Sequence, residues 1–123
     1  LCKVLLMGGN LTQTPTSLSR KECESVSIQC VFEAASGVTF KSMEFFRQIG
    51  KGTQLVSIPV DGRFVVKADR VSASFSLEIN ELEVQDGATY YCRARFDANR
   101  CAVGKREKTK DGTGTAVIVT KSK

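Results

Sequence analysis

The sequence predicts an all-β protein, built as a sandwich of two antiparallel sheets. Apolar and polar residues alternate in several short segments: in SVSIQCVF, every second residue from Val26 to Phe32 is apolar, and SFSLEI and TYYCRAR repeat the pattern. Turn-forming sequences such as VDG, QDG and KDGTG separate these segments, while helical periodicity is scarce. Short alternating strands at this spacing, without helices between them, are typical of a β-sandwich.

Taken in order, the alternation and the turns predict eight strands, at residues 11–20, 24–32, 42–48, 54–58, 63–67, 73–80, 88–96 and 114–121. The first strand is broken near Pro15, since proline has no amide hydrogen to donate. The last strand is rich in β-branched residues, as TAVIVT shows. Residues 96–112 are predicted to form one long irregular loop, and such loops in compact domains are usually functional or disordered.

The length of 123 residues corresponds to one domain, and an apolar content of 41% argues against disorder. No apolar run approaches the ~20 residues of a membrane helix. The early run VLLM is either the tail of a secretory leader or an extra edge strand, and we favour the leader. We therefore expect an extension at residues 1–9 and a domain at residues 10–121.

The composition argues against catalysis and metal binding. The chain contains no histidine, which removes the commonest general base and the commonest zinc ligand. No nucleophile stands beside a base, so we expect no catalytic residues, no metal and no cofactor. The net charge is +5, and seven basic residues crowd one segment: Arg93, Arg95, Arg100, Lys105, Arg106, Lys108 and Lys110.

Five cysteines in a chain of this size indicate an oxidising compartment. Cys30 and Cys92 both occupy inward positions of predicted strands. A bridge between them would join the two sheets and close a loop of about 60 residues, which contributes roughly 4 kcal/mol in the chain-entropy model. The sequon NLT at Asn10 would also fit secretion.

Several motifs together resemble an immunoglobulin variable domain, across roughly residues 10–120: SVSIQC, FFRQIGKGTQLV, DGRF, SFSLEINELEVQDGATYYC and the Gly-x-Gly of DGTGTAVIVT. The resemblance implies a V-type sandwich with Greek-key connections. It also implies that Tyr90 forms the family's tyrosine corner and that Arg63 pairs with Asp86. Two positions depart from the family. Phe45 replaces the core tryptophan, and Asp111 replaces the aromatic residue of the last strand, so we expect the Asp111 carboxylate to be solvated.

The type of variable domain stays open between two resemblances. QTPTSLSRKECESVSIQC looks like the first framework of the new antigen receptor domains of cartilaginous fish, which act as single domains. FRQIGKGTQLV looks more like T-cell receptor α or δ chains, and a T-cell receptor chain carrying such a domain would satisfy both. Either implies an extracellular antigen-binding domain of an adaptive immune receptor, secreted or membrane-anchored as a receptor ectodomain. The alternative is a non-rearranged cell-surface adhesion or co-receptor domain.

In the resembled family, antigen is met by two loops, which here are residues 33–41 and 93–110. The resulting candidate contact residues are Thr39, Lys41, Arg95, Phe96, Arg100, Cys101, Lys105, Arg106 and Lys108. A protein ligand is expected, because arginine and aromatic side chains dominate protein interfaces. A basic loop with Phe96 would also suit base stacking, but charge without a groove is typical of a solvated loop. We expect no nucleic-acid partner and no membrane contact by the domain itself.

The resemblance also implies a face for pairing with a second variable domain, at Phe46, Gln48, Leu55 and Tyr91. Three cysteines remain. Cys23 lies seven residues before Cys30, a span of roughly 23 Å when extended, so a bridge from Cys23 to Cys101 within one domain is not expected. A Cys2–Cys101 bridge is compatible with the predicted strand order. Cys23 would then be left for a partner chain.

Overall fold

A computed structural model describes residues 8–52, 54–100 and 104–122, with the side chains of residues 99–100 and 104–106 outside that description. These residues form ten strands and one short 3-10 helix. The bounds are β1 Gly9–Thr14, β2 Ser17–Lys21, β3 Val26–Ala34, β4 Val38–Gln48, β5 Leu55–Ser57, β6 Phe64–Asp69, β7 Ser74–Ile79, the 3-10 helix Val84–Asp86, β8 Ala88–Arg100, β9 Gly104–Asp111 and β10 Thr115–Thr120.

The strands form two sheets, which confirms the predicted sandwich. One sheet has the order β1-β3-β7-β6. The other has six strands in the order β2-β10-β8-β4-β5, with β9 also paired to β8. Strand β8 is shared: its first residues pair with β10, and from Arg93 onward it pairs with β9.

The break at Pro15 moves the chain from one sheet to the other. Strand β1 ends at Thr14 in the four-stranded sheet, and β2 begins at Ser17 in the six-stranded sheet. There β2 runs parallel to β10, so the all-antiparallel expectation is wrong for this one pair. The reason is topological, because a first strand that changes sheets arrives beside the last strand in the same direction.

The core lies between the inward faces of the sheets. Ile28, Leu77, Ile79 and Tyr90 are fully buried. Phe45, at the position expected for tryptophan, is 6% exposed. Toward the end that carries the β3–β4 turn, which we call the upper end, aromatic rings fill the core: Phe32, Phe40, Phe75 and Phe96 lie with neighbouring ring centroids 5.2 to 5.7 Å apart.

The two predicted binding loops are mostly strand, which corrects both predictions. Strand β4 begins at Val38 and pairs with β8, so only residues 35–37 remain as a turn where residues 33–41 were expected. Strands β8 and β9 form an antiparallel hairpin whose last described pair is Arg100 and Gly104. The sequence missed β9 because its residues, GKREKTKD, show no apolar alternation.

Candidate binding site

The lower end of the sandwich is closed by three residues, Arg63, Asp86 and Tyr90, which we call the corner. Arg63 donates two hydrogen bonds to the Asp86 carboxylate, at 2.8 and 3.1 Å. The Glu83 amide donates a third at 2.8 Å. The Tyr90 hydroxyl donates to the Asp86 carbonyl oxygen at 2.7 Å. The turn into β8 is therefore bonded to Arg63, the residue that precedes β6, and to its own backbone.

Burial and charge act in opposite directions on Asp86. Burial alone would raise the pKa of its carboxyl group, but the hydrogen bonds from Arg63 and from the Glu83 amide, with the nearby positive charges, hold that pKa below its ordinary value. Burial raises the pKa of Tyr90. The corner is therefore an ionised aspartate beside a neutral, donating tyrosine at neutral pH.

The disulfide predicted between Cys30 and Cys92 is present, with the two Cα atoms 6.6 Å apart. Beside it lies Gln13, a buried residue of β1 that is not among the predicted site residues. Its side-chain amide donates to the Tyr90 carbonyl at 2.8 Å and accepts from the Gly114 amide at 3.0 Å. Gln13 therefore fixes β1 against β8 and the start of β10. In the sequence, Gln13 is distinguished only by its place between two threonines, Thr12 and Thr14.

The hairpin of β8 and β9 is rooted in the core at the upper end. Phe96 is 2% exposed and stacks on Phe32 with ring centroids 5.2 Å apart. Gly8 lies against the same ring with a φ of +73°, where any side chain would collide with it. Phe96 was predicted to contact a ligand, and this is wrong, because a buried ring cannot reach one.

On the outer face of the six-stranded sheet, four side chains form what we call the charged ladder: Lys41, Glu107, Arg95 and Glu44. The Lys41 ammonium nitrogen lies 2.7 Å from a carboxylate oxygen of Glu107. The Arg95 guanidinium lies 3.4 Å from the other Glu107 oxygen and 2.7 Å from a carboxylate oxygen of Glu44. Asp97 adds a weaker contact to Lys41 at 4.0 Å. The charges alternate in sign, so the ladder joins β4, β8 and β9 through complementary pairs.

The ladder gives acidic partners to two of the basic residues that were predicted to contact a ligand. The hydrogen bond with Lys41 lowers the pKa of Glu107, and the hydrogen bond with Glu107 raises the pKa of Lys41. Lys41 and Arg95, both candidate contact residues, are thus already matched by carboxylates within the domain. Neither Glu44 nor Glu107 was selected from the sequence. In the cross-strand register Glu44 lies opposite Arg93, one outward-facing position from its partner Arg95, and this register is known only from the structure.

The other candidates divide into described and undescribed positions. Thr39 is exposed near the start of β4, and Lys108 is half-buried on β9 opposite Phe96. The side chains of Arg100, Lys105 and Arg106 lie outside the description, although their backbones belong to the hairpin. Cys101 falls outside the described residues entirely. Over the part of the chain that is described, no group of three acidic or cysteine side chains is arranged to hold a metal ion.

A family model of the immunoglobulin V-set domain matches residues 13–120. The chain belongs to the immunoglobulin V-set family. This confirms the resemblance drawn from the motifs. A T cell receptor alpha chain of Homo sapiens, MC.7.G5, is 26% identical over 123 residues, covering 94% of this chain and 43% of the human protein. The chain thus spans less than half the length of that relative.

Together, the V-set match and this similarity support a variable domain of an immune receptor. V-set domains form a non-enzymatic family, in keeping with the composition. Among the described residues, no helix has the length and apolarity needed to cross a bilayer.

The predicted pairing face of this V-set domain is partly covered by its own side chains. Phe46 and Tyr91 are half-buried and lie opposite each other on β4 and β8. The Arg93 guanidinium lies 5.0 Å above the Phe46 ring and donates to Asp111 at 2.7 and 3.1 Å. Asp111 is exposed, as expected, and it also forms an ion pair with Arg93. The remaining members, Gln48 and Leu55, are half-buried.

Of the three cysteines outside the disulfide, the structure describes only Cys23. Cys23 is a free, exposed thiol in the β2–β3 turn, and its amide donates to the Leu82 carbonyl at 2.8 Å. That contact places it toward the lower end, away from the hairpin. Cys2 and Cys101 lie outside the described residues, so their proposed bridge stays a prediction.

Proposed function

We propose that this V-set domain is the antigen-recognition domain of an adaptive immune receptor, and that it binds a protein ligand with its upper end. The β3–β4 turn and the β8–β9 hairpin stand side by side there, since Val38 of β4 pairs with Ala98 of β8. The similarity to a T cell receptor alpha chain supports the receptor class. The disulfide supports an extracellular location, either secreted or as a receptor ectodomain.

The observation that carries this proposal is the way the hairpin is held. Phe96 packs into the core on one side of β8, and the charged ladder ties β9 to β4 on the other. A hairpin fixed on both faces is presented to a ligand with little conformational entropy left to lose, which favours affinity. Residues 99–106, which we call the tip, are not members of these contacts, and we propose that sequence variation is concentrated there.

The contact residues proposed on this basis are Thr39, Lys41, Arg95 and Lys108, with Arg100, Lys105 and Arg106 toward the tip. Because Lys41 and Arg95 are matched within the ladder, the tip residues supply most of the net positive charge of the hairpin. Such charge accelerates association with an acidic surface more than it adds affinity.

We further propose that Phe46, Gln48, Leu55 and Tyr91 are the place where a second variable domain would dock. Arg93 and Asp111 form the upper border of that surface, since their ion pair covers one side of Phe46. Sedimentation of wild type beside Tyr91→Glu tests this. A concentration-dependent dimer that the substitution abolishes is expected, and a wild-type monomer at all concentrations would contradict it.

The recognition role predicts sequence variation confined to the hairpin. Transcripts amplified from the source's lymphoid tissue, with primers in the regions encoding residues 24–30 and 113–120, should differ in sequence and length around residues 97–107. The β4 segment serves as the internal control and should stay constant. A single invariant sequence that matches one contiguous genomic exon would overturn the proposal and favour the adhesion or co-receptor alternative.

A further inference from the structure

The recognition role leaves one sequence motif unused, Asn10-Leu11-Thr12. The chain has three asparagines, and only Asn10 is followed two positions later by serine or threonine. Asn80 is followed by Glu81 and Leu82 and so provides an internal comparison. A three-residue pattern of this kind is the acceptor for N-linked glycosylation, but it also arises by chance. The surroundings of Asn10 in the fold therefore decide whether the motif is accessible as a glycosylation site.

The motif lies on β1, at the edge of the four-stranded sheet. Asn10 and Thr12 are both exposed on the outer face of the sheet, while Leu11 between them packs against the core. In the antiparallel register Asn10 lies opposite Glu33, another exposed residue. A sugar on the Asn10 amide would therefore extend into solvent, and the strand would remain held through Leu11.

We propose that Asn10 carries an N-linked glycan, an inference that rests on the extracellular location proposed above. In this transfer, the Asn10 side-chain nitrogen bonds to C1 of the first sugar of a lipid-linked oligosaccharide. The bond from C1 to the lipid pyrophosphate breaks, and the pyrophosphate leaves with the electron pair. The amide nitrogen loses one proton. The Thr12 hydroxyl is the second group that the motif requires.

The position of the glycan assigns different roles to the two sheets. Asn10 is near the upper end, but on the sheet opposite the one that carries the charged ladder. Among the described strands, β1 is at the edge of its sheet, and a glycan there would hinder another chain from pairing along that edge. It also obstructs approach from the four-stranded side. A ligand is thereby directed to the hairpin tip and to the outer face of the six-stranded sheet.

The test is expression of the full chain behind a cleavable secretory signal in cultured animal cells, followed by peptide mass spectrometry. Before enzymatic release of the glycan, the peptide spanning Asn10 should carry sugar. After release by an amidase that converts the glycosylated asparagine to aspartate, that peptide should gain the mass of this conversion. The peptide containing Asn80 should remain unmodified.

Four variants separate the site from general effects on folding. Asn10→Gln and Thr12→Ala should abolish the glycan, whereas Thr12→Ser should retain it at reduced occupancy. Thr14→Ala is the matched control, because Thr14 is an exposed threonine of the same strand outside the motif. It should leave occupancy unchanged.

Cell-free translation with endoplasmic-reticulum microsomes detects glycosylation even for a variant that fails to fold. A translocated wild-type chain that stays unmodified at Asn10 in both systems would overturn the proposal. Because the secretory signal is supplied, this result does not depend on the recognition role, which the transcript experiment tests separately.

Discussion

The corner and the charged ladder use the same interaction, an ion pair between residues distant in the sequence, at opposite ends of the sandwich. At the corner the side chains of Asp86 and Arg63 are 3% and 19% exposed. In the ladder the exposed fractions run from 39% to 46%. Charges in a buried site interact through less water and leave a large penalty when one partner is lost. Exposed pairs are screened and contribute little to global stability.

This difference teaches that the two ends serve different purposes. The corner stabilises the folded domain as a whole, through a bidentate ion pair and the hydrogen bond of a buried tyrosine hydroxyl. The ladder orients a hairpin without making the fold depend on it. The exposed charged positions of the upper hairpin can therefore change at low cost to stability, which suits a region that we propose meets a ligand.

The largest expected effect comes from removing the buried carboxylate. Asp86→Asn removes the buried carboxylate that accepts two hydrogen bonds from Arg63 and leaves the guanidinium with the more distant Asp61 and Glu83, at 3.4 and 3.8 Å. We expect a loss of about 3 kcal/mol in the free energy of unfolding, the lower end of the range for breaking a buried pair. Urea unfolding followed by circular dichroism measures it. Glu107→Gln, the same chemical change in the ladder, is the matched control. A loss at Asp86 no larger than at Glu107 would contradict the comparison.

Acid should weaken the corner in a defined pH range. The pKa of Asp86 is depressed in the folded domain, so its contribution is present above the ordinary aspartate pKa of about 3.9 and is lost as the pH falls through the folded value. Urea midpoints between about pH 6 and pH 2 should decline more for wild type than for Asp86→Asn. Parallel pH profiles for the two proteins would show that Asp86 is not responsible.

Removing only the tyrosine hydroxyl should have a smaller effect. Tyr90→Phe keeps the buried ring but leaves the Asp86 carbonyl without its 2.7 Å hydrogen bond. An unsatisfied buried acceptor costs about 1 to 3 kcal/mol, and we expect the lower end because the ring still fills its space. Thermal unfolding by calorimetry measures the change. A variant as stable as wild type would mean that water replaces the bond.

For the ladder we expect a local effect rather than a global one. Glu107→Gln should leave the urea midpoint nearly unchanged but speed hydrogen exchange of the β9 amides, because the pairs to Lys41 and Arg95 weaken together. Adding salt should reduce the difference between the two proteins, since exposed charges are screened. Thr39→Ala, an exposed change on β4 outside the ladder, is the control. Equal exchange rates with and without Glu107 would show that the ladder does not hold the hairpin.

The smallest expected effect on stability is at Cys23. Cys23→Ser alters an exposed thiol and should leave the unfolding midpoint unchanged. It should abolish any covalent dimer seen on non-reducing gels, if Cys23 bridges to a partner chain as the sequence analysis predicts. A wild-type protein that stays monomeric with a reactive Cys23 under oxidising conditions would contradict the interchain bridge.

Much of the fold was predictable because its signals are local. Alternation between Val26 and Phe32 determined which side of β3 faces the core. The same alternation along β8 runs through Tyr90, Cys92 and Ala94, and extending it to Phe96 would have predicted that residue to be buried. Phe96 is instead predicted at the junction of the strand 88–96 and the loop 96–112, among the ligand-contact residues, because the charged residues that follow it resemble an irregular segment.

By itself, the sequence determined the sandwich, the strands that carry Cys30 and Cys92, and the opposite charges at Arg63 and Asp86. These follow from side-chain alternation and from motifs a few residues long. Only the tertiary structure decided that β9 is a strand and that Arg93 and Arg95 of the basic segment are paired with carboxylates. Lys41 and Glu107 are 66 residues apart, and Glu44 and Arg95 are 51 apart. Such pairs depend on the register between distant strands, which no local pattern specifies.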